Sequence, residues 1–405
     1  MKPLEGITVV DLSTFVAAPV CARFLADMGA RVIKVEPPKG DNWRASGVNY
    51  QRARFSDTEN PIFDIYNTGK DMLSLNLKTE EGMKIMHQLL AKADVFVTNN
   101  RPAALKRLGL DYPSLKEKYP RLVYAMLLGF GEKGPDAESP AFDTTAFWAR
   151  TGFMRDMGAA GPEYQPVMPS IGVGDSVAGT NLAMQVLGAL FGREKTGKGQ
   201  LVKAGLYHVG AFAMGTMTVK GQRPFGSKMP APRQDHNTPG GAYGCSDGEW
   251  LYIGLGNREK TIPALHKMIG HPELDEDPRF QRGVAWGNRA EYYAIIKEAI
   301  LQKPSDYWQE QARELDIPIV KMRHFADVSE DEQAWANGYV EKVEYPTGNV
   351  DVVPTSPIEM ETVGEIKTHP TKPIGCDTEK VLSELGYTAQ EIGQMKESGI
   401  VVSAK

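Results

Sequence analysis

The chain has 405 residues, 41% of them hydrophobic and 24% charged. This is the make-up of an ordinary soluble globular protein, and the length favours two domains over a single core. A formal net charge of -5 and a pI of about 5.9, with basic residues dispersed, argue against a nucleic-acid-binding surface, and no apolar stretch approaches a membrane span. Cys21, Cys245 and Cys376 lie far apart with no C-x-x-C, which fits a reduced, cytoplasmic compartment rather than a disulfide framework. Met1–Gly6 leads straight into a strand-like run with no apolar leader. The seven histidines show no ligand spacing, so no metal site is expected.

Ile7–Leu12 reads as a buried strand, followed by the loop Ser13–Ala18 and a helix running to Gly29 with Pro19 near its first turn. Val32–Val35 reads as a second strand. This β-loop-α-β opening predicts an α/β fold with a parallel, Rossmann-like sheet and right-handed crossovers. The first loop lacks both G-x-G-x-x-G and G-x-x-x-x-G-K-[ST], so it offers a poor pyrophosphate cradle for NAD or ATP. An amphipathic helix over Lys78–Ala93, a strand at Val95–Val97, a short helix near Ala103–Leu108 and a strand at Leu122–Leu127 continue the alternation. Asn99, Asn100, Arg101 and Arg107 gather after a strand's C-terminal end, where open α/β sheets bind ligands. Arg107 reads equally well as a solvated helix residue.

Asp175 stands alone among small residues in Gly172–Gly179, where an irregular run becomes helical. Leu182, Val186, Leu187, Leu190 and Phe191 then recur at helical spacing. Position and residue type allow an N-cap. They also allow a carboxylate nucleophile steadied by helix N-terminal amides. The two roles are compatible. Beyond it, Leu201–Val209 reads as a strand or helix start. Gln222–Gly244 is rich in proline, glycine and basic residues and reads as a linker with a glycine loop at Gly240 and Gly241. A smaller domain follows, with a strand at Trp250–Gly254 and helices near Lys260–Met268, Ala290–Ile300 and Ser305–Leu315. Pro346–Asn349 predicts a hairpin turn, and Thr378–Leu385 and Ala389–Gly399 predict the last helices.

Read together, these stretches resemble the family III CoA-transferases, the CaiB/BaiF family, over nearly the whole chain. The resemblance rests on Pro3–Ile7, Gly29–Pro37, Gly40-Asp41 with Arg44, Asn67 with Lys70, Gly129–Gly131 with Gly134-Pro135, and Phe142-Asp143. Gly174-Asp175, Thr196–Gln200, Asp277–Phe280 with Arg289, Ile317-Pro318, Asp331–Gln333 and Gly386–Thr388 complete it. It implies a large Rossmann-like domain built from both chain ends (1–222 and 329–405), with a smaller α+β domain inserted at 223–328, and an interlocked homodimer. It also implies that Asp175 is the catalytic aspartate and that no cofactor is held permanently, coenzyme A thioesters being substrates. Val16 and Ala17 match loop positions near the thioester. Leu75, Asn76, Leu77, Lys78, Asn99, Asn100, Arg101 and Arg107 match adenine- and phosphate-contacting positions. Phe142 and Asp143 match the lining of the thioester end, and Gly240 and Gly241 a loop that closes over the site. Some relatives carry Arg where this chain has Pro37, so Lys39 or Arg44 is expected to supply that charge.

Such chemistry would pass through an aspartyl anhydride and an aspartyl-CoA thioester. Within the family the chain is similar to the clostridial branch acting on 2-hydroxy acids such as 2-hydroxyisocaproate or phenyllactate. Expected partners are therefore an acyl-CoA and a small organic acid, with no nucleic acid and no membrane. Aromatic and bulky residues (Phe142, Phe147, Trp148, Met154, Met157) cluster near the presumed thioester end and suit an apolar acyl group. Phe147 and Trp148 fit the core face of a helix as well. Two rivals stay open: a 2-methylacyl-CoA racemase of the same fold, and a non-catalytic acyl-CoA-binding subunit. Racemases of this family place His before the aspartate matching Asp143, where this chain has Phe142, a side chain that cannot transfer a proton.

Overall fold

A computed structural model describes residues 1–45, 56, 58–222, 224, 228–235, 238–281, 284–285, 287–370 and 372–403. The sequence-predicted linker Gln222–Gly244 therefore lies partly outside the described residues. The chain forms two compact units. The first comprises 1–153, 168–220 and 329–405; the second comprises 154–167 and 221–328.

The first unit is built on a six-stranded parallel sheet in the order β3-β2-β1-β4-β5-β6. Its strands are β1 (Thr8–Leu12), β2 (Arg31–Glu36), β3 (Lys70–Ser74), β4 (Val95–Thr98), β5 (Val123–Leu128) and β6 (Leu201–Gly205). Continuous apolar runs such as Val95–Val97 form these strands because helices cover both faces of the sheet. On one face Val10, Ile33, Leu73, Phe96, Tyr124 and Met126 pack against Ile85, Leu89 and Leu90 of the Glu80–Lys92 helix. Each such side chain contributes about 1.5–3 kcal/mol when fully buried. Thr79 starts that helix by accepting the Gly82 N–H at 3.1 Å. The C-terminal segment docks along β3: Asp377 accepts the Met72 N–H at 2.8 Å, and Asn76 N–H donates to the Ile400 carbonyl at 2.8 Å.

The order of strands reverses between β1 and β4, which both run from the middle of the sheet. The loops after these two strands diverge and leave a crevice at their C-terminal ends. The helix Val173–Thr196 lies against the helix Ala17–Asp27 beside that crevice. A Cβ on Gly179 would stand 2.3 Å from the Ala17 carbonyl oxygen and 2.7 Å from Val20 Cβ, so glycine is needed for this close approach. The Val173–Thr196 helix buries Leu182, Val186 and Leu190. Phe191 instead faces outward at 69% exposure, which corrects its place in the apolar stripe read from the spacing; Met184 also faces outward, at 62%.

The second unit holds a three-stranded antiparallel sheet of β7 (Gly241–Gly244), β8 (Trp250–Ile253) and β9 (Ile319–Lys321). Helices Arg258–Met268, Arg289–Ile300 and Ser305–Glu314 cover it around Tyr243, Leu251, Ile253, Leu265, Ile296 and Trp308. In the first unit, the predicted hairpin joins β10 (Val340–Glu344) to β11 (Val350–Pro354), with Gly348 at φ 85° in its turn.

Candidate active site

A cleft of about 220 Å³ opens at the β1/β4 reversal. Thr14, Phe15 and Ala17 line it from the loop after β1, and Asn99, Asn100 and Arg101 from the loop after β4. Gly129 and Phe130 after β5, together with Phe142 and Asp175, complete its wall. Six sequence-predicted site residues thus meet in one cavity: Ala17, Asn99, Asn100, Arg101, Phe142 and Asp175.

Asp175 is the third residue of its helix. The N-cap is Gly172, in the left-handed region at φ 89°, so Asp175 is not the capping residue. The capping carboxylate comes from Asp143, which is buried and accepts the Gly172 N–H at 2.7 Å. A Cβ on Gly174 would meet Asp143 Oδ1 at 2.2 Å, which shows how closely that carboxylate covers the helix end. Burial, then the neighbouring Asp143 charge, pushes the Asp175 carboxyl up to about 7. Burial also pushes Asp143 above the ordinary carboxylate range, opposed by the Gly172 and Gly174 N–H groups. A carboxylate so poorly solvated is a stronger base and nucleophile than one in water.

Asn99 accepts the Thr14 N–H at 3.0 Å and donates to the Thr14 carbonyl at 2.7 Å. Asn100 donates to the Leu12 carbonyl at 2.9 Å. Both amides therefore clasp the loop after β1 as well as facing the cleft. Arg101 and Arg107 are exposed at the two ends of the Pro102–Leu108 helix, and neither forms an ion pair with a described residue.

The other expected site residues lie outside this cleft or turn their side chains elsewhere. Arg44 is not free to meet a phosphate: it forms a two-pronged ion pair with Glu36 at 2.7 and 2.8 Å and stacks 4.4 Å over the Phe63 ring. Val16 and Leu75 are each 1% exposed, so their side chains belong to the core. Asn76, Leu77 and Lys78 follow β3 at the sheet's edge and do not line the cleft; Asn76 accepts the Lys78 N–H at 3.1 Å and Leu77 packs on the core. Phe147 and Trp148 are core residues too, Trp148 meeting Phe153 edge-on at 4.5 Å. Gly240 and Gly241 are buried in the second unit, where Gly241 opens β7 opposite Ile253, so they are a strand entrance rather than a free loop.

Two cleft aromatics were missed, Phe15 and Phe130. Phe15 adopts φ 64° and meets Phe142 edge-on at 5.5 Å and Trp43 at 6.2 Å. Nothing in its sequence context signals that conformation, which non-glycine residues seldom adopt.

A larger cavity, about 760 Å³, lies in the second unit beside His266 and Tyr292. His266 is held on both ring nitrogens, by Asp275 at 2.6 Å and by the Tyr292 hydroxyl. Burial lowers its pKa despite Asp275, so it sits there neutral and fully engaged. No group of at least three His, Cys, Asp or Glu side chains suited to a metal occurs among the described residues.

A family profile described as CoA-transferase family III matches residues 4–378. The chain belongs to this family. An (R)-2-hydroxy-4-methylpentanoate CoA-transferase of Clostridioides difficile is 39% identical over 98% of this chain and 99% of its own. A cinnamoyl-CoA:phenyllactate CoA-transferase of Clostridium sporogenes is 38% identical over 98% of this chain and 97% of its own. The crystal structure of a CAIB/BAIF family protein from Brucella suis superposes with a TM-score of 0.79 at 28% identity, covering 95% of this chain and 99% of that one. As a family III CoA-transferase, the protein places Asp175, near the start of its helix, in the crevice of a parallel sheet.

Proposed function

We propose that this CoA-transferase moves coenzyme A from an acyl-CoA to a 2-hydroxy acid of the 2-hydroxyisocaproate or phenyllactate class, with Asp175 as nucleophile. The observation that carries the reading is Asp175 itself, mostly buried, pushed up to about 7 and aimed into the β1/β4 cleft. Its carboxylate attacks the thioester carbonyl, and the C–S bond breaks to give a mixed anhydride and CoA thiolate. The thiolate attacks the aspartyl carbonyl, releasing the first acid and leaving Asp175 as its CoA thioester. The incoming carboxylate and then the thiolate repeat these steps in reverse.

Two identities near 39%, both over almost the full chain and both with 2-hydroxy-acid transferases, support the acceptor class. Phe15, Phe130 and Phe142 give that end of the cleft an apolar wall suited to a branched or aromatic acyl group. Arg101 and Arg107, exposed and without carboxylate partners among the described residues, suit the phosphates of coenzyme A. The same reading includes a cytoplasmic homodimer; the outward Met184, Phe191 and Phe212, the last 84% exposed, favour a second copy as their cover. With cinnamoyl-CoA as donor, kcat/KM is measured across phenyllactate, 2-hydroxyisocaproate, lactate, formate and oxalate. Branched or aromatic 2-hydroxy acids should lead. A tenfold lead for the small or dicarboxylic acids would overturn the acceptor assignment, and light scattering at a monomer mass would overturn the dimer.

A further inference from the structure

Beneath the cleft lies a set of fully buried charges that the chemistry above does not use. Lys34 and Asp41 form an ion pair at 2.8 Å, with side chains 0% and 1% exposed. Lys70 and Asp11 form a second at 2.9 Å, both 0% exposed. Burying two such pairs is costly, and replacing one with apolar residues is often neutral or stabilising, so stability alone is a weak reason for them.

Their hydrogen bonds converge on one short segment. Asp41 Oδ1 accepts from the Thr14 hydroxyl, from Phe15 N–H at 3.1 Å and from Trp43 N–H at 2.9 Å. Lys34 Nζ donates to the Ser13 carbonyl at 3.0 Å, and the Ser13 hydroxyl donates to Asp11. Lys70 donates to the Pro19 carbonyl at 3.0 Å, and Asn99 closes on Thr14 from the other side. Burial pulls the Lys34 pKa down, but Asp41, Asp11 and Glu36 outweigh it and keep the ammonium charged. The segment so held includes Phe15, whose left-handed backbone, at φ 64°, persists only where its surroundings over-determine it. That conformation turns the Phe15 ring onto Phe142 in the wall of the Asp175 cleft.

We infer that the Lys34–Asp41 pair is a positioning device that fixes Thr14 and Phe15 so that the Phe15 ring keeps water from Asp175 during transfer. The inference rests on Asp175 forming an acyl anhydride. Water reaching it would add to the acyl carbonyl, break the acyl–oxygen bond, free the acid and restore the carboxylate, leaving the thiolate to be protonated as free coenzyme A. The net leak is hydrolysis of acyl-CoA, and a fixed apolar wall is the device that suppresses such side reactions.

The test uses the full chain with cinnamoyl-CoA, reading thiol release without acceptor and transfer with phenyllactate. Thr14→Val and Phe15→Ala should raise the ratio of hydrolysis to transfer by about tenfold, and Phe15→Tyr should keep the wild-type ratio. The double variant Lys34→Met with Asp41→Asn, which leaves no unpaired buried charge, should behave like Thr14→Val. An unchanged ratio in Phe15→Ala overturns the inference. So does a parallel fall of hydrolysis and transfer in every variant, which is the pattern of a merely structural loop. Transfer by the wild type and its loss in Asp175→Asn test the underlying reading separately.

Discussion

Asp143 and Gly172 are 29 residues apart, yet the Asp143 carboxylate accepts the Gly172 N–H at 2.7 Å and so caps the helix that carries Asp175. The positive end of that helix is thereby spent on Asp143 rather than on the nucleophile. Asp175 is left with burial and a like charge, which together raise its pKa to about 7. Asp143 therefore supplies the cap and, after burial, the second contribution to the basicity of Asp175.

Asp143→Asn keeps a capping oxygen but removes the charge. Because Asp175 must be ionised to attack, kcat/KM should fall as pH drops below about 7 in the wild type. In Asp143→Asn that acidic limb should move to lower pH. A pH profile from 5 to 9 checks it, and an unmoved limb would show that Asp143 does not govern Asp175.

Asp175→Asn should abolish transfer while stabilising the fold above neutrality. The sign follows from the raised pKa. Between the ordinary value of 3.8 and about 7 the folded state holds a proton that the unfolded chain has released. Stability from this group is thus present at low pH and lost as pH rises through about 7. A neutral Asn escapes that loss, so urea unfolding should show a gain of about 1–3 kcal/mol at pH 8 and almost none at pH 4. Equal effects at both pH values would contradict the buried-carboxylate account. Retained transfer, with deamidation excluded by mass, would sink the nucleophile.

How much of this was legible in the sequence depended on whether the cause was local. β1, β2, β4 and β5 announce themselves through apolar runs, and the helices through spacing and caps. β3 does not, because Lys70 and Asp71 interrupt it; Lys70 is buried only because Asp11 and Asn67 receive its ammonium. Asn99 and Asn100 were readable as residues at a ligand-binding strand end, but their grip on the β1 loop required knowing which strands are neighbours. Arg44 looked available because Glu36, eight residues earlier, gives no sign that it folds back. Phe147 and Trp148 have the same composition as a substrate wall and are core: Phe147 Cγ lies 2.3 Å from where a Gly174 Cβ would stand, and Trp148 meets Phe153 edge-on.

Gly179→Ala probes the packing that sets the distance between the Asp175 helix and the β1 loop. The new methyl would be placed 2.3 Å from the Ala17 carbonyl oxygen, too near for the backbone to stay where it is. Overpacking of this kind costs about 1–3 kcal/mol. Because Ala17 and Asp175 line the same cleft, kcat/KM should fall more than the folded fraction does. A fully folded variant with wild-type kinetics would show that the two helices can separate without disturbing the site.

The last prediction separates the arginines. Arg44 is 7% exposed in its side chain and fully engaged by Glu36, the Lys372 carbonyl and the Phe63 ring. Arg44→Met should therefore strand the Glu36 carboxylate in the core and destabilise the protein by about 3–5 kcal/mol. In molecules that still fold, the KM for acyl-CoA should hardly move. Arg107 is exposed on its helix, so Arg107→Ala should leave urea unfolding within about 0.5 kcal/mol of wild type. If Arg107 meets a coenzyme A phosphate, the same change should raise the KM for acyl-CoA severalfold at unchanged kcat, and added salt should narrow the gap to wild type. A raised KM in Arg44→Met with an unaltered unfolding midpoint would reverse the assignment and return Arg44 to the substrate.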